Sequence, residues 1–224
     1  MADKVLFITG ASSGIGAQTA RQAAEAGWNV ALFARSEDKL KDLAAEIGDK
    51  AIALPGDVTD LSSLEGAIDQ TVEKFGALDA VFANAGTGLD TAGIEKGDPE
   101  EWSKLVDINI KGVLLTLKAS YAALKKFKGH LVLTGSVAGR VHISGSVYGA
   151  SKWFVHGLAG NMASDMREWG GRCTVIAPGM VDTPFFEEAK PDKLKPEDIA
   201  NAVVYTIDQP ERANVQEVVI MPTG

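Results

Sequence analysis

Residues 4–16 read KVLFITGASSGIG, a continuous apolar run followed at once by a cluster of glycines. An uninterrupted run such as KVLFI is the pattern of a strand buried on both faces, as in a parallel sheet covered by helices. After the glycines a helical pattern continues through Ala26, and Gly27 is suited to close it as a C-cap residue. Strand, glycine turn and helix in that order form the first half of a βαβ unit. Gly10, Gly14 and Gly16 remove side chains where the backbone must approach a pyrophosphate and where the helix packs on the strand. Ser12, Ser13 and Ile15 fill the turn between them, and the free N–H groups at the helix start face the anion with the positive end of the helix dipole. The spacing is GxxxGxG rather than the general GxGxxG. The alternative is a flexible glycine turn that holds nothing.

Further strands and helices alternate along the chain. NVALFA at 29–34 reads as a second strand, and a helix follows to about Ile47. The end of that strand is where a dinucleotide-binding fold meets the adenosine ribose. A carboxylate there would bind the 2′-hydroxyl and repel a 2′-phosphate. This chain has Ala34 and then Arg35, whose planar fork of donors and permanent charge suit a phosphate. The reading is NADP(H) over NAD(H), with a solvated surface arginine as the plain alternative. KAIAL at 50–54 is a third strand, closed by Gly56, Asp57 and Val58. Asp57 bonds the adenine or simply starts the turn. Asp60 is a fair N-cap for a helix to about Phe75. LDAVFANAG at 78–86 is a fourth strand ending in small residues, with Ala85 and Gly86 leaving room for a flat ligand; Asn84 braces the strand ends or touches that ligand.

The pattern 98–127 predicts one long helix, with Asp98, Pro99 and Glu101 as its start signal. Asn109 falls on its apolar face, where a buried amide is costly unless bonded. It is either a satisfied core asparagine or a group that orders backbone or water near a reacting centre. HLVLTG at 130–135 is a fifth strand with Ser136 at its end. Ligands in open α/β sheets lie outside such carboxyl ends. The next helix, 147–169, carries Tyr148 and Lys152 at i, i+4, on one face and one turn apart. A lysine ammonium beside a phenol lowers its pKa toward the range useful for proton exchange. A sixth strand at 172–177 stops at Pro178 and Gly179. Residues 180–194, without clear period, read as a short substrate loop in which Phe185 and Phe186 offer an apolar wall and Glu187 and Glu188 weigh against an anionic substrate. A helix at 196–207 and a seventh strand at 217–221 complete the pattern.

Composition bounds the rest. The 224 residues, 46% hydrophobic and 23% charged, fit one globular domain over 1–224. The formal charge of −8 argues against a general nucleic-acid surface, so a phosphate ligand must be held by local donors. No run reaches the ~18 apolar residues of a membrane span. A single cysteine and three histidines leave no expected metal site. The expected location is cytoplasmic.

Taken together these residues resemble the short-chain dehydrogenase/reductase family over nearly the whole chain. TGASSGIG at 9–16 is similar to its glycine motif, and ANAG at 83–86 to its NNAG motif with Ala83 in place of the first asparagine. Asn109, Ser136, Tyr148 and Lys152 match its catalytic tetrad, and Pro178, Gly179 and Thr183 its nicotinamide-contacting segment. The last thirty residues resemble NADP-dependent reductases of small alcohols, including hydroxy-amino-acid dehydrogenases, so the subgroup implied is NADP-preferring. The resemblance implies a doubly wound α/β Rossmann fold, a seven-stranded parallel sheet of order 3-2-1-4-5-6-7 with helices on both faces. It implies hydride transfer between nicotinamide and a carbonyl or secondary alcohol. Tyr148 would be the general acid/base. Lys152 would tune it and bind the nicotinamide ribose, and Ser136 would bond the substrate oxygen. Asn109 would hold a water, and Thr183 with the backbone near Val181 would fix the carboxamide. Substrate contacts are expected from Ser136, Tyr148, Phe185 and His142, with Arg140, Val141, Ile143 and Ser146 over the same site. Gly135 is small where a bulkier hydroxyl residue is common, which would loosen Ser136. Pairing through the two long helices into a homodimer or homotetramer is also implied. The alternatives are an NAD-dependent dehydrogenase of the same family and a catalytically silent NADP-binding sensor.

Overall fold

In the computed structural model, residues 4–91, 93–186 and 188–223 are described. Glu187, in the expected substrate loop, lies outside them. Seven strands, β1 (Val5–Thr9), β2 (Asn29–Ala34), β3 (Ala51–Pro55), β4 (Ala80–Ala83), β5 (His130–Thr134), β6 (Arg172–Pro178) and β7 (Glu217–Ile220), form one sheet. Its order is β3-β2-β1-β4-β5-β6-β7, and every pairing is parallel. Helices α1 (Gly14–Glu25), α2 (Glu37–Ile47), α3 (Leu61–Phe75), α4 (Pro99–Val106), α5 (Val113–Phe127), α6 (Val147–Arg167) and α7 (Pro196–Ile207) cover both faces. This is the Rossmann arrangement.

The period-two alternation of each strand divides the core. On one face Phe7, Phe33 and Leu131 pack with Leu64, Leu117 and Val155 from α3, α5 and α6. On the other Leu6, Ile8 and Phe82 pack with Ala20, Leu40 and Ile199 from α1, α2 and α7. All five residues of β1 are buried, as a strand covered on both faces requires. β1 pairs β2 on one side and β4 on the other. The chain order reverses there, so a crevice opens at the carboxyl ends of β1 and β4.

The expected long helix over 98–127 is two helices joined by a π-helical stretch, Asp107–Gly112. Asp98 caps α4 by accepting the Glu100 N–H at 2.9 Å, with Pro99 at the first helical position. Widened turns of this kind gather at functional sites, and this one carries the buried Asn109. Leu114 on α5 and Trp153 on α6 are 43% and 44% exposed, apolar side chains on the two helices where pairing is expected. No described helix is long and apolar enough to cross a membrane. No described cluster of three ligating side chains could hold a metal ion.

At the foot of β5 the His130 ring is fully buried. Its Nε2 lies 2.7 Å from Thr174 Oγ1. Because that hydroxyl donates to the Val215 carbonyl, it accepts from His130, so Nε2 carries the proton. Nδ1 is left without a partner. Burial, with Arg172 alongside, pushes the imidazole pKa from 6.5 down to about 3. The unfolded chain therefore binds a proton that the folded chain refuses between these values, and stability falls as pH drops through that window. Urea unfolding should show this acid slope, at most ~1.4 kcal/mol per pH unit from one group, and His130→Val should flatten it. An unchanged slope in the variant would place the acid sensitivity elsewhere.

Candidate functional site

The crevice is a cleft of about 690 Å³. Its floor is the turn after β1. Gly10 sits at φ +68°, and a Cβ there would come within 3.0 Å of the Ala85 Cα. A Cβ on Gly16 would lie 2.3 Å from the Gly10 carbonyl oxygen, so α1 can approach the turn this closely only through glycine. Gly10, Ser12, Ser13, Gly14 and Ile15 line the cleft, while Gly16 lies behind them as a packing residue. Ser13 is the N-cap of α1, yet its side chain caps nothing. The turn thus keeps backbone and hydroxyl donors free at a helix N-terminus, a cradle that fits a pyrophosphate.

Hydrogen bonds between the strand ends hold the cradle in place. Thr9 Oγ1 accepts the N–H groups of Asn84 and Ala85 at 3.0 and 3.1 Å. The Asn84 amide donates to the Thr9 carbonyl at 3.1 Å, and its Oδ1 accepts from Thr134 Oγ1 at 3.2 Å. Of its two expected roles the structure shows the bracing one, although Asn84 also lines the cleft with Ala85 and Gly86.

The far end of the cleft is formed by Arg35, Ser36, Asp57 and Val58. Arg35 is exposed, and no described carboxylate pairs with it. Ser36 is the N-cap of α2 with an uncommitted hydroxyl. Glu37 and Asp38 follow, but Glu37 is paired with Lys41 at 2.7 Å. Asp57 accepts both the N–H and the hydroxyl of Thr59 at 2.9 Å, so it stabilises the turn while bordering the cleft.

Ser136, Tyr148 and Lys152 converge on the near end. Ser136 Oγ accepts the Ala138 N–H at 3.1 Å, which leaves its own proton to donate. Lys152, only 6% exposed, donates from Nζ to the Thr134 carbonyl at 2.9 Å and stands 5.7 Å from the centre of the Tyr148 ring. Burial pushes its ammonium from 10.5 down to about 8. For Tyr148 burial also comes first and holds the phenol above its ordinary value, against the pull of a hydrogen bond with Ser136. The lowering of the phenol by Lys152 expected from the sequence does not govern this site. The ammonium turns to a backbone carbonyl, and desolvation of the phenol outweighs its field.

Asn109 is away from the cleft surface. Its Oδ1 accepts the Thr87 N–H at 2.8 Å, and its Nδ2 donates to the Thr87 carbonyl at 2.9 Å and to Ser151 Oγ at 3.3 Å. Ser151 in turn donates to the Tyr148 carbonyl at 2.7 Å. The amide thus ties the loop after β4 to the first turn of α6.

Pro178, Gly179, Val181 and Thr183 line the cleft after β6. The loop they open is closed at its base by a parallel bridge of Val181 with Leu194 and by Asp182, which accepts from the Lys190 N–H and Lys195 Nζ, both at 2.8 Å. Phe185 stands 5.8 Å from Tyr148, ring centre to ring centre. His142 is placed elsewhere: it is exposed, stacked on Trp153 at 5.4 Å, and does not line the cleft. Arg140, Val141, Ile143 and Ser146 are likewise absent from the lining. Ser146 is committed instead as the N-cap of α6, accepting the Gly149 N–H at 2.9 Å. The lining also includes Ser36, Thr87 and Thr134, which the sequence reading did not select, and Phe186, which it named with Phe185 as an apolar wall. Phe186 follows Phe185 directly and was legible as part of the same wall. Thr134 acts on Lys152 through its carbonyl, which no side-chain pattern reports.

The model of the short chain dehydrogenase family matches residues 4–194. An uncharacterized oxidoreductase of Staphylococcus saprophyticus is 38% identical over 229 residues, covering 98% of this chain and 97% of the relative. The solved structure of an alcohol dehydrogenase from the archaeon Thermococcus sibiricus, complexed with 5-hydroxy-NADP, is similar with a TM-score of 0.90 and 32% identity, covering 98% of this chain and 97% of its own. A 3-ketoacyl-(acyl-carrier-protein) reductase from Brucella melitensis, complexed with NADH, has a TM-score of 0.89 at 26% identity, with 98% of both chains covered.

Asn109→Ala would strand the N–H and carbonyl of Thr87. The expected loss in urea unfolding is about 2–4 kcal/mol. A loss below about 0.5 kcal/mol, the level of an ordinary surface change, would mean that water takes over these bonds and that the amide is no brace.

Proposed function

The chain belongs to the short chain dehydrogenase family, and from that premise we propose that it is an NADP(H)-dependent oxidoreductase acting on a carbonyl or secondary alcohol. The observation that carries this is the convergence of Ser136, Tyr148 and Lys152 at one end of a cleft whose floor is the glycine-rich turn after β1. Bound NADP(H) would supply or accept the hydride. The chain's own residues do the rest. Gly10, Gly14 and the first turn of α1 hold the pyrophosphate through backbone N–H groups. Lys152 spends one N–H on Thr134 and has two left for ribose hydroxyls. Its ammonium is present below about pH 8. Ser136, whose hydroxyl proton otherwise faces the Tyr148 oxygen, donates it to the substrate oxygen and stabilises the charge that develops there. Tyr148 gives its proton to that oxygen in reduction and takes it back in oxidation. The phenol, held above its ordinary value by burial, carries its proton at neutral pH. Phe185, against Tyr148, shields the exchange from water and gives the substrate an apolar wall.

NADP(H) rather than NAD(H) is inferred from Arg35 and Ser36 at the end of β2, where no carboxylate stands to meet the ribose. The alcohol dehydrogenase bound to 5-hydroxy-NADP supports that reading. The reductase bound to NADH keeps the NAD(H) alternative in view, as do Glu37 and Asp38 beyond Arg35.

Two measurements separate these readings from each other and from a silent sensor. With NADPH and a panel of small ketones, aldehydes and diketones, wild type should turn over at least one compound, and Tyr148→Phe should lower kcat by ~10²–10⁴, the usual worth of a general acid. A rate within tenfold of wild type would remove Tyr148 from the reaction. In fluorescence titrations Arg35→Ala should raise the Kd for NADPH about tenfold, roughly 1.4 kcal/mol, and leave that for NADH unchanged. Equal changes for both would mean that Arg35 does not read the 2′-phosphate.

A further inference from the structure

One face of α6 carries Tyr148, Lys152 and then His156, each one turn further from the cleft. The His156 side chain is 13% exposed. It occupies space left by two glycines: a Cβ on Gly135 would lie 2.6 Å from its Nε2, and one on Gly139 would lie 2.7 Å from its Cδ2. Its Nε2 is 3.0 Å from the Ser136 carbonyl oxygen and 3.4 Å from the Ser136 nitrogen. Both groups face the ring because Ser136 is extended, at φ −172° and ψ 156°, and an extended residue turns its N–H and C=O to the same edge. On the other side of the ring Nδ1 is 3.3 Å from Glu217 Oε1, at the start of β7. The second oxygen of Glu217 is bonded by Arg140.

We propose that His156 is the positioning residue of Ser136, and that its protonation state selects which backbone group of Ser136 it holds. The carboxylate of Glu217 requires a proton on Nδ1, since a lone pair there would face a negative oxygen. In the neutral ring Nε2 then has only a lone pair, which accepts the Ser136 N–H at 3.4 Å but also faces the Ser136 carbonyl oxygen at 3.0 Å, a repulsion that a second proton would relieve. When a second proton arrives, Nε2–H donates to the Ser136 carbonyl instead. The charged groups around the ring are Glu217 from β7, Arg140 beyond Gly139 and Lys152 one turn back on α6. Burial holds the imidazole below its ordinary value against the opposing pull of Glu217 and of the bond to the Ser136 backbone, with Arg140 and Lys152 adding to the lowering, so the neutral ring prevails at neutral pH. In either state the ring pins the backbone of Ser136 and therefore the direction of its side chain, which carries the hydroxyl toward Tyr148. The smallness of Gly135, expected to loosen the serine, instead makes room for the side chain that fixes it.

The functional consequence rests on the proposed role of Ser136, while the contact itself can be tested without substrate or cofactor. In ¹⁵N-labelled protein titrated from about pH 8 to about pH 5, the range of histidine charging, the Ser136 amide should shift with the midpoint of the His156 ring, below ~6.5. In His156→Gln, whose amide can replace either bond without titrating, that shift should vanish while the fold persists. Glu217→Gln should lower the midpoint, since it removes the charge that favours protonation. A Ser136 amide that ignores pH, or that shifts equally in His156→Gln, would overturn the proposal. With NADPH and the fastest compound of the panel, His156→Ala should lower kcat about tenfold or more with the KM for NADPH unchanged, as expected for a misplaced reacting group. His156→Gln should recover most of the rate and flatten its acid limb. Full activity in His156→Ala would sink the positioning role. Should Tyr148→Phe prove fully active while the Ser136 amide still follows His156, the reaction assignment fails and the contact stands.

Discussion

Three strands of a parallel sheet end beside one another with their last polar groups unpaired, and the hydrogen bonds of Thr9, Asn84 and Thr134 resolve that deficit. A buried backbone group without a partner is costly, so the ends of β1, β4 and β5 cannot drift apart without losing several bonds together. Everything in the cleft hangs on this knot. The cradle follows Thr9, the small residues Ala85 and Gly86 follow Asn84, and Ser136 follows Thr134 by two residues. The Thr134 carbonyl also holds Lys152, so the same strand end that anchors the knot orients the ammonium. One local network thus sets the distance between the proposed phosphate cradle and the proposed reacting end.

A second constraint is electrostatic. A chain of net charge −8 repels an anion at long range, and the cleft counters this with groups that lie close to it. Backbone N–H groups at the start of α1 carry no net charge, and the buried Lys152 ammonium, its pKa lowered to about 8, is a single cation at the near end. Arg35 is the exposed cation at the far end. Affinity for a dinucleotide phosphate would then arise from short contacts in a shaped cradle rather than from a basic surface, and it would be less sensitive to salt than a polycationic site.

The strands and most of the helices were legible because a doubly wound sheet writes itself as apolar runs alternating with helical periods. The strand order came from a family resemblance, since periodicity alone does not order strands. The residues of the cradle and of the Ser136–Tyr148–Lys152 group were legible because glycine spacing and an i, i+4 pair are patterns in the chain itself. The rest was hidden for physical reasons. The π-helical stretch that turns Asn109 inward does not alter the apolar period enough to be seen. His142 is four residues from Ser146, the N-cap of α6, yet the turn before the helix carries it out to Trp153. The direction of the Tyr148 shift depends on burial, to which segments distant in sequence such as Phe185 belong, and a phenol–ammonium pair read alone predicts the opposite sign.

That sign matters for what the site can do before any cofactor arrives. Tyr148 and Lys152 are both pushed toward their neutral forms by burial: upward for the phenol, downward for the ammonium. Neither shift needs the other residue, so the pair is not a preformed phenolate–ammonium ion pair. A protonated phenol and the Ser136 hydroxyl are two donors at one end of the cleft. A carbonyl oxygen can accept both, and its negative charge as hydride adds would be met by donors already in place. An alcohol must instead give up a proton to a phenol that already holds one. The two directions of the proposed reaction thus ask opposite things of the phenol, and burial, which raises its pKa, supplies only the protonated form.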